Sequence, residues 1–276
     1  MRQALWALVV VATVWGWSIS AAAAGARGDE PVVFLAHDYG FTGPDRIPAG
    51  ITTVQVVNQG KDLHHVQIVQ LAEDKTAEDF QAAMKAHPSH PPAWAKLVGG
   101  PNAVMPGSEA TATMALTAGH YLLLCLIPDS KGVPHVALGM VKPLTIMPTK
   151  HPVTQQPATD LTITLSDFAF ALSQPITAGR HTVHVTNTGA QPHEVVLVKL
   201  DDGKTVKDFG AAFAPGASGP PPGRAMGGVV GIERGASAFF TGQFEPGRYG
   251  LICFFPDGKS GAPHFAKGMM LDFSVQ

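Results

Sequence analysis

The chain has 276 residues, of which 45% are hydrophobic and only 14% charged, with 19 Lys and Arg against 21 Asp and Glu. That balance, at a mean hydropathy of +0.13, excludes a disordered chain, which would lack the apolar area needed to offset ordering entropy, and it offers no basic surface for nucleic acid. At roughly 100–200 residues per domain, the length accommodates one large or two modest domains.

Taken in chain order, the first element is a targeting segment. Arg2 supplies a positive start, Ala4 to Ile19 is apolar and uncharged, and small residues run from Ser20 to Ala24. An A-x-A site at Ala22–Ala24 permits cleavage before Gly25, so residues 1–24 read as a signal peptide and the remainder as an exported, periplasmic or extracellular protein. The alternative is an uncleaved anchor, because the apolar stretch approaches the lower limit of a spanning helix. No later segment is apolar enough to cross a bilayer.

The rest of the chain contains one pattern twice. Asp38-Tyr39-Gly40-Phe41 matches Asp167-Phe168-Ala169-Phe170, and the same offset of 129 carries Asn58 onto Asn187, Gly60 onto Gly189, His64 onto His193 and Asp79-Phe80 onto Asp208-Phe209. The offset becomes 128 for Gly99-Gly100 and Gly227-Gly228, Tyr121 and Tyr249, and Cys125 and Cys253, then returns to 129 for Pro134-His135 and Gly139-Met140. Two units follow, residues 31–148 and 160–276, joined by a Pro- and Thr-rich linker at 149–159.

Each unit is mostly strand. Ile51 to Val56 and His181 to Val185 alternate and are rich in β-branched residues, and Val66 to Leu71, Tyr121 to Leu126 and Met140 to Met147 add further strands. With 30 Gly and 23 Pro marking turns, six to eight strands per unit predict an all-β chain of two Greek-key sandwiches. One short helix is expected in each, starting at Thr76 and at Thr205, where Thr-x-x-Asp forms a capping box. Two long Pro- and Gly-rich stretches, Lys85 to Ser108 and Ala214 to Gly235, read as covering loops.

The two cysteines form either one disulfide or two separate sites. Each repeat places an early histidine, His64 or His193, well ahead of a late cluster: Cys125, His135 and Met140 in the first, Cys253, His264 and Met269 in the second. Two imidazoles, a thiolate and a thioether are the donor set of a trigonal copper site with a weak axial ligand. A Cys125–Cys253 bridge would require equivalent positions of two units to approach within about 7 Å. His37, His87, His90, His120, His151, His181 and His184 have no counterpart in the other repeat and read as solvated or structural.

These motifs, Asn58-x5-His64 with Tyr121-x3-Cys125-x9-His135-x4-Met140, and Asn187-x5-His193 with Tyr249-x3-Cys253-x10-His264-x4-Met269, resemble the cupredoxins, the blue copper family that includes plastocyanin and azurin. The resemblance implies a type 1 copper at one end of each sandwich, held by His64, Cys125, His135 and Met140 and by His193, Cys253, His264 and Met269. Many cupredoxins carry Asn directly after the first copper histidine to brace the ligand loops, whereas this chain has His65 and Glu194. Two-domain copper nitrite reductases and small laccases have a similar layout but add histidines for further copper. Here Leu124 and Ile252 precede the cysteines and the chain contains no His-x-His. The expectation is therefore an electron carrier with two type 1 coppers, docking transiently on a redox partner protein through exposed His135 and His264. The competing readings are a module that buffers or delivers copper and a two-domain copper oxidoreductase.

Overall fold

The computed structural model describes residues 30–86, 91–214, 216–217 and 219–276. The expected signal peptide, together with His87 and His90, lies outside the described residues. The chain is built of strands: β1 (Val32–His37), β2 (Gly40–Thr42), β3 (Arg46–Pro48), β4 (Gly50–Asn58), β5 (Gln67–Leu71), β6 (Ala95–Gly99), β7 (Glu109–Leu116), β8 (Gly119–Leu124) and β9 (Val141–Met147) in the first half. The second half repeats the series as β10 (Leu161–Ser166), β11 (Ala169–Leu172), β12 (Gly179–Asn187), β13 (His193–Leu200), β14 (Gly223–Ile232), β15 (Ser237–Phe244), β16 (Gly247–Ile252) and β17 (Met270–Val275). Residues 149–159 form neither helix nor strand. The linker is tied to β4 by the Val153 carbonyl, which accepts from the Ile51 N–H at 2.7 Å.

Alternation explains the strands. Along β4, Val54, Val56 and Asn58 are buried while Gln55 and Val57 between them are only half-buried, and β12 repeats this with Val183, Val185 and Asn187. Helices α1 (Ala77–Ala86) and α2 (Val206–Ala211) begin where the capping boxes place them. Asp79 N–H donates to Thr76 Oγ1 at 3.1 Å, and Asp208 N–H to Thr205 Oγ1 at 3.3 Å. Each helix seals one sheet face with an aromatic side chain, Phe80 or Phe209, both 1% exposed.

The strands make two sheets, and both sheets run through both halves. One has the order β11-β10-β12-β15-β7-β4-β1-β2, the other β17-β16-β13-β14-β6-β5-β8-β9-β3. The halves join edge to edge, by Phe239↔Thr113 and Phe240↔Ala112 between β15 and β7, and by Ile232↔Val98 between β14 and β6. One apolar cluster spans both, from Phe34, Val54 and Val56 to Leu161, Val183 and Phe240.

The two stretches expected to be covering loops are corrected by this arrangement. Ala214 to Gly235 contains β14, ten residues long, and Lys85 to Ser108 contains β6. The Gly pairs that suggested loops are strand irregularities that allow close approach. Gly100 (φ +133°) and Gly228 (φ +111°) lie against the carbonyl oxygens of Val66 and Val195, where a Cβ would stand at 2.0 and 2.1 Å. The same segments carry the junction: Asn102 N–H donates to Gly228 O at 3.2 Å, Val230 N–H to Gly100 O at 3.0 Å, and Gly227 N–H to Ala103 O at 2.9 Å.

Candidate metal centres

The junction of each β5 or β13 with its preceding loop delivers the early histidine, and the end of β8 or β16 delivers the cysteine. The second histidine opens a short 3-10 turn, His135–Leu138 or His264–Lys267. That turn closes on a left-handed glycine, Gly139 (φ +102°) or Gly268 (φ +105°), which turns the chain back so that Met follows. Met140 N–H donates to His135 O at 3.0 Å, and Cys125 N–H to Met140 O at 3.3 Å. Met269 makes the same two bonds with His264 and Cys253 at the same lengths. The backbone thus locks cysteine, second histidine and methionine together in both halves, with both methionine side chains fully buried.

The side chains converge accordingly. In the first centre, Cys125 Sγ lies 3.8 Å from His64 Nδ1 and 3.4 Å from His135 Nδ1. In the second, Cys253 Sγ lies 3.5 Å from His264 Nδ1, and the Nδ1 atoms of His193 and His264 are 2.9 Å apart. The two imidazole planes meet at 57° in both centres. All six side chains are at 0% exposure, and within each group one donor atom per residue lies within 4.8 Å of the others. Both cysteines are free thiols in separate centres, so they do not form the alternative bridge.

A carboxylate fixes each early histidine. Asp38 Oδ1 is 2.7 Å from His64 Nε2, and Asp167 Oδ1 is 2.9 Å from His193 Nε2. With Nε2–H donated to the carboxylate, the Nδ1 lone pair points at the cysteine, the tautomer a metal ligand needs. Gly60 and Gly189 make room for this contact. A Cβ on Gly60 would stand 2.3 Å from Asp38 Oδ1 and 2.5 Å from His64 Nε2, and one on Gly189 2.6 and 2.5 Å from the matching atoms. Asn58 and Asn187 shape the same loop: each accepts from the Gly60 or Gly189 N–H at 2.9 Å and donates to Asp62 O or Gln191 O. Asp38 and Asp167 are site residues that the ligand motifs omit, although the repeat already aligns them.

The positions after the early histidines also brace the centres. His65 Nε2 accepts from Leu126 N–H at 2.9 Å, and Glu194 Oε1 from Phe254 N–H at 2.9 Å. Each therefore holds the residue directly after the cysteine. Burial pushes the Cys125 thiol up to about 12, opposed by the backbone N–H groups of His65 and Ile127. Burial likewise raises the Cys253 thiol well above its ordinary value, with the Glu194 carboxylate adding to the rise and the N–H groups of Glu194 and Phe255 opposing it. Burial lowers His135, and takes His264 down to about 4. His65, also buried, is lowered to about 3, and Glu194 is raised to about 7.

This donor set fits a soft cation. In the second centre the Nδ1 atoms of His193 and His264 converge to 2.9 Å, where two bare lone pairs repel unless a proton or metal ion lies between them. A buried thiol resists ionisation until a cation compensates the thiolate.

The expected exposure of His135 and His264 is corrected. Both rings are buried, and among the described residues their Nε2 atoms have no hydrogen-bond partner. Tyr39 lies against His135 at 4.7 Å between centroids, and Phe168 against His264 at 5.2 Å with the Lys267 ammonium over its outer side. The turn after β1 or β10 that supplies the carboxylate therefore supplies the cover too. Around the first centre Val133 and Leu138 remain exposed.

No protein-family model matches the chain, and no curated protein sequence matches it. Among solved structures it is similar to reduced auracyanin from Roseiflexus castenholzii, at 23% identity over 42% of this chain and 95% of that one, with a TM-score of 0.30. It is also similar to a blue copper oxidase from Nitrosomonas europaea, at 13% identity over 88% of this chain and 84% of that one, with a TM-score of 0.26. A third is a copper-containing nitrite reductase from Thermus scotoductus, at 12% identity over 88% of this chain and 61% of that one, with a TM-score of 0.26.

Proposed function

We propose that the chain is an exported electron carrier made of two cupredoxin-like Greek-key sandwiches, residues 31–148 and 160–276, each holding one type 1 copper. His64, Cys125, His135 and Met140 would hold the first ion, and His193, Cys253, His264 and Met269 the second. The observation that carries this reading is the duplicate itself: two fully buried His-Cys-His groups with the same interplanar angle, carboxylate anchor and methionine-bearing turn. Copper bound to such a set supplies one-electron chemistry, because thiolate and thioether suit Cu(I) and imidazole suits both oxidation states. The residues' own part is to hold one geometry for both states and to exclude water. Full burial favours retention over delivery, since releasing an ion requires the Cys-to-His loop to open. A redox partner would dock over Tyr39, Val133 and Leu138 in the first half and over Phe168 in the second, through small transient contacts.

Copper loading of the full chain tests this directly. The expected result is an intense thiolate-to-copper visible band with about two coppers per chain, by the ligand count above. Cys125→Ser and Cys253→Ser should each remove one copper and leave the other centre coloured. A small reductant should bleach the band rapidly and reversibly at constant copper content. Slow bleaching with copper release would instead assign the chain to buffering, and a colourless loaded protein would overturn the copper reading.

A further inference from the structure

The two residues that brace the cysteine loops draw their own support from different places. His65 meets Leu126 N–H within the first half. Glu194 meets Phe254 N–H through Oε1, but its other oxygen is held from across the junction. The donor is Asn102, 1% exposed, on the segment between β6 and β7 of the first half. Its Nδ2 donates to Glu194 Oε2 at 3.1 Å, Val195 O at 3.0 Å and Val229 O at 3.2 Å, all in the second half. Its Oδ1 accepts from Ala103 N–H at 2.7 Å, which fixes the orientation of the amide.

These bonds make a short directed line: Asn102 Nδ2 to Glu194 Oε2, Glu194 Oε1 to Phe254 N–H, and Phe254 by its peptide bond to Cys253. Glu194 is 7% exposed, so an oxygen that loses its donor there has little water to replace it, and the carboxylate is free to turn away from Phe254. The repeat shows that the arrangement is one-way. At the offset of 128 that carries Gly99 onto Gly227, Asn102 falls on Val230, whose side chain has no polar atom to offer the first half. The apolar contacts are reciprocal by contrast: Phe255 packs on the cluster around Phe80 and Leu97, and Ile127 on the cluster around Phe209 and Ile252.

We propose that Asn102 is a positioning residue of the second metal centre, supplied by the first half: acting through Glu194, it fixes the loop that carries Cys253, so that the second centre is completed across the junction while the first is braced from its own half. Partners beyond the ligands orient a metal site as much as the ligands themselves do. Here the outermost of those partners lies 91 to 151 residues before the ligands it serves, in the other repeat. The role toward a metal rests on the reading of the two clusters as copper sites.

The test has a metal-free and a copper-loaded arm, both on the full chain. In metal-free protein, Asn102→Leu should lower the hydrogen-exchange protection of Phe254 N–H by about tenfold, the scale of one hydrogen bond, and leave Leu126 N–H unchanged. Asn102→Ser, a milder change that is too short to reach Glu194, should do the same and serves if the leucine variant does not fold. Glu194→Ala should reproduce the loss at Phe254, and adding Asn102→Leu to it should lower Phe254 no further, because the first residue acts through the second. In copper(II)-loaded protein, Asn102→Leu or Asn102→Ser should shift the visible band of the second centre, read in a Cys125→Ser background, and leave that of the first, read in Cys253→Ser, where it was. Unchanged Phe254 protection, an additive loss in the double variant, or equal shifts of both bands overturns the proposal and leaves the copper reading intact. A Cys125→Ser parent that binds no copper overturns the copper reading at the second centre, while the metal-free arm still decides whether Asn102 holds the Cys253 loop.

Discussion

The carboxylate behind each early histidine decides which nitrogen faces the cysteine. Removing Asp38 leaves His64 Nε2–H without its acceptor in a buried site, freeing the ring to change tautomer. Loss of a metal ligand's hydrogen-bond partner typically costs 10–100-fold in metal affinity. Asp38→Ala should therefore weaken copper at the first centre by roughly that factor and leave the second unchanged, as read by competitive chelator titration of each single-centre Cys→Ser protein. Equal weakening of both centres would contradict a local role for Asp38. Much of this site is legible in the sequence, because ligand types and spacings repeat in register: His64, Cys125, His135 and their partners come together as the motifs imply. Asp38 is less legible, although it repeats as Asp167, because an acidic residue beside a turn has the pattern of solvated surface. Only the fold shows a carboxylate 2.7 Å from a buried imidazole. Tyr39 and Phe168 are hidden for the same reason, since nothing in one strand's alternation reveals that its turn folds over the histidine of a distant loop.

At the scale of elements, local signals held where their cause was local. The two capping boxes are determined within four residues, and both helices begin there. Helix α2 fixes Val206 and Phe209, both 1% exposed, against the sheet carrying Cys253. Thr205→Ala removes the acceptor for Asp208 N–H and should cost about 1 kcal/mol. For a chain of this size that corresponds to roughly 2–4 °C in midpoint, measurable by thermal unfolding of the metal-free protein. No change would show that the α2 start is held by packing alone. The β14 segment illustrates the opposite case. Its strand-forming residues, Val229, Val230 and Ile232, are preceded by Gly227-Gly228, which reads as punctuation in sequence. In the fold those glycines let β13 and the Asn102 segment approach from either side, a requirement set by residues far away in the chain.

At the scale of the molecule, the repeat predicts two similar units but is silent on how they meet. The contact is continuous: both sheets pass through it, and the apolar cluster does not divide at the linker. Gln67 Nε2 in the first half donates to Gly231 O in the second at 3.0 Å, and Leu97 N–H reaches Glu233 Oε1 at 3.3 Å. Separating the halves would expose Phe239, Phe240 and Ile232, each at most 4% exposed, and would strip partners from buried backbone groups, which costs far more than a surface contact. Thermal unfolding of the metal-free chain should therefore be one cooperative transition, with calorimetric and van't Hoff enthalpies in agreement. Copper held by the proposed ligand set would stabilise the folded state by mass action. Loading the Cys253→Ser protein, which retains only the first ligand set, should therefore raise the midpoint of the entire transition, including signals from the second half. Two transitions, of which only one moves with copper, would show that the halves unfold independently and that the shared sheets are a contact between autonomous domains.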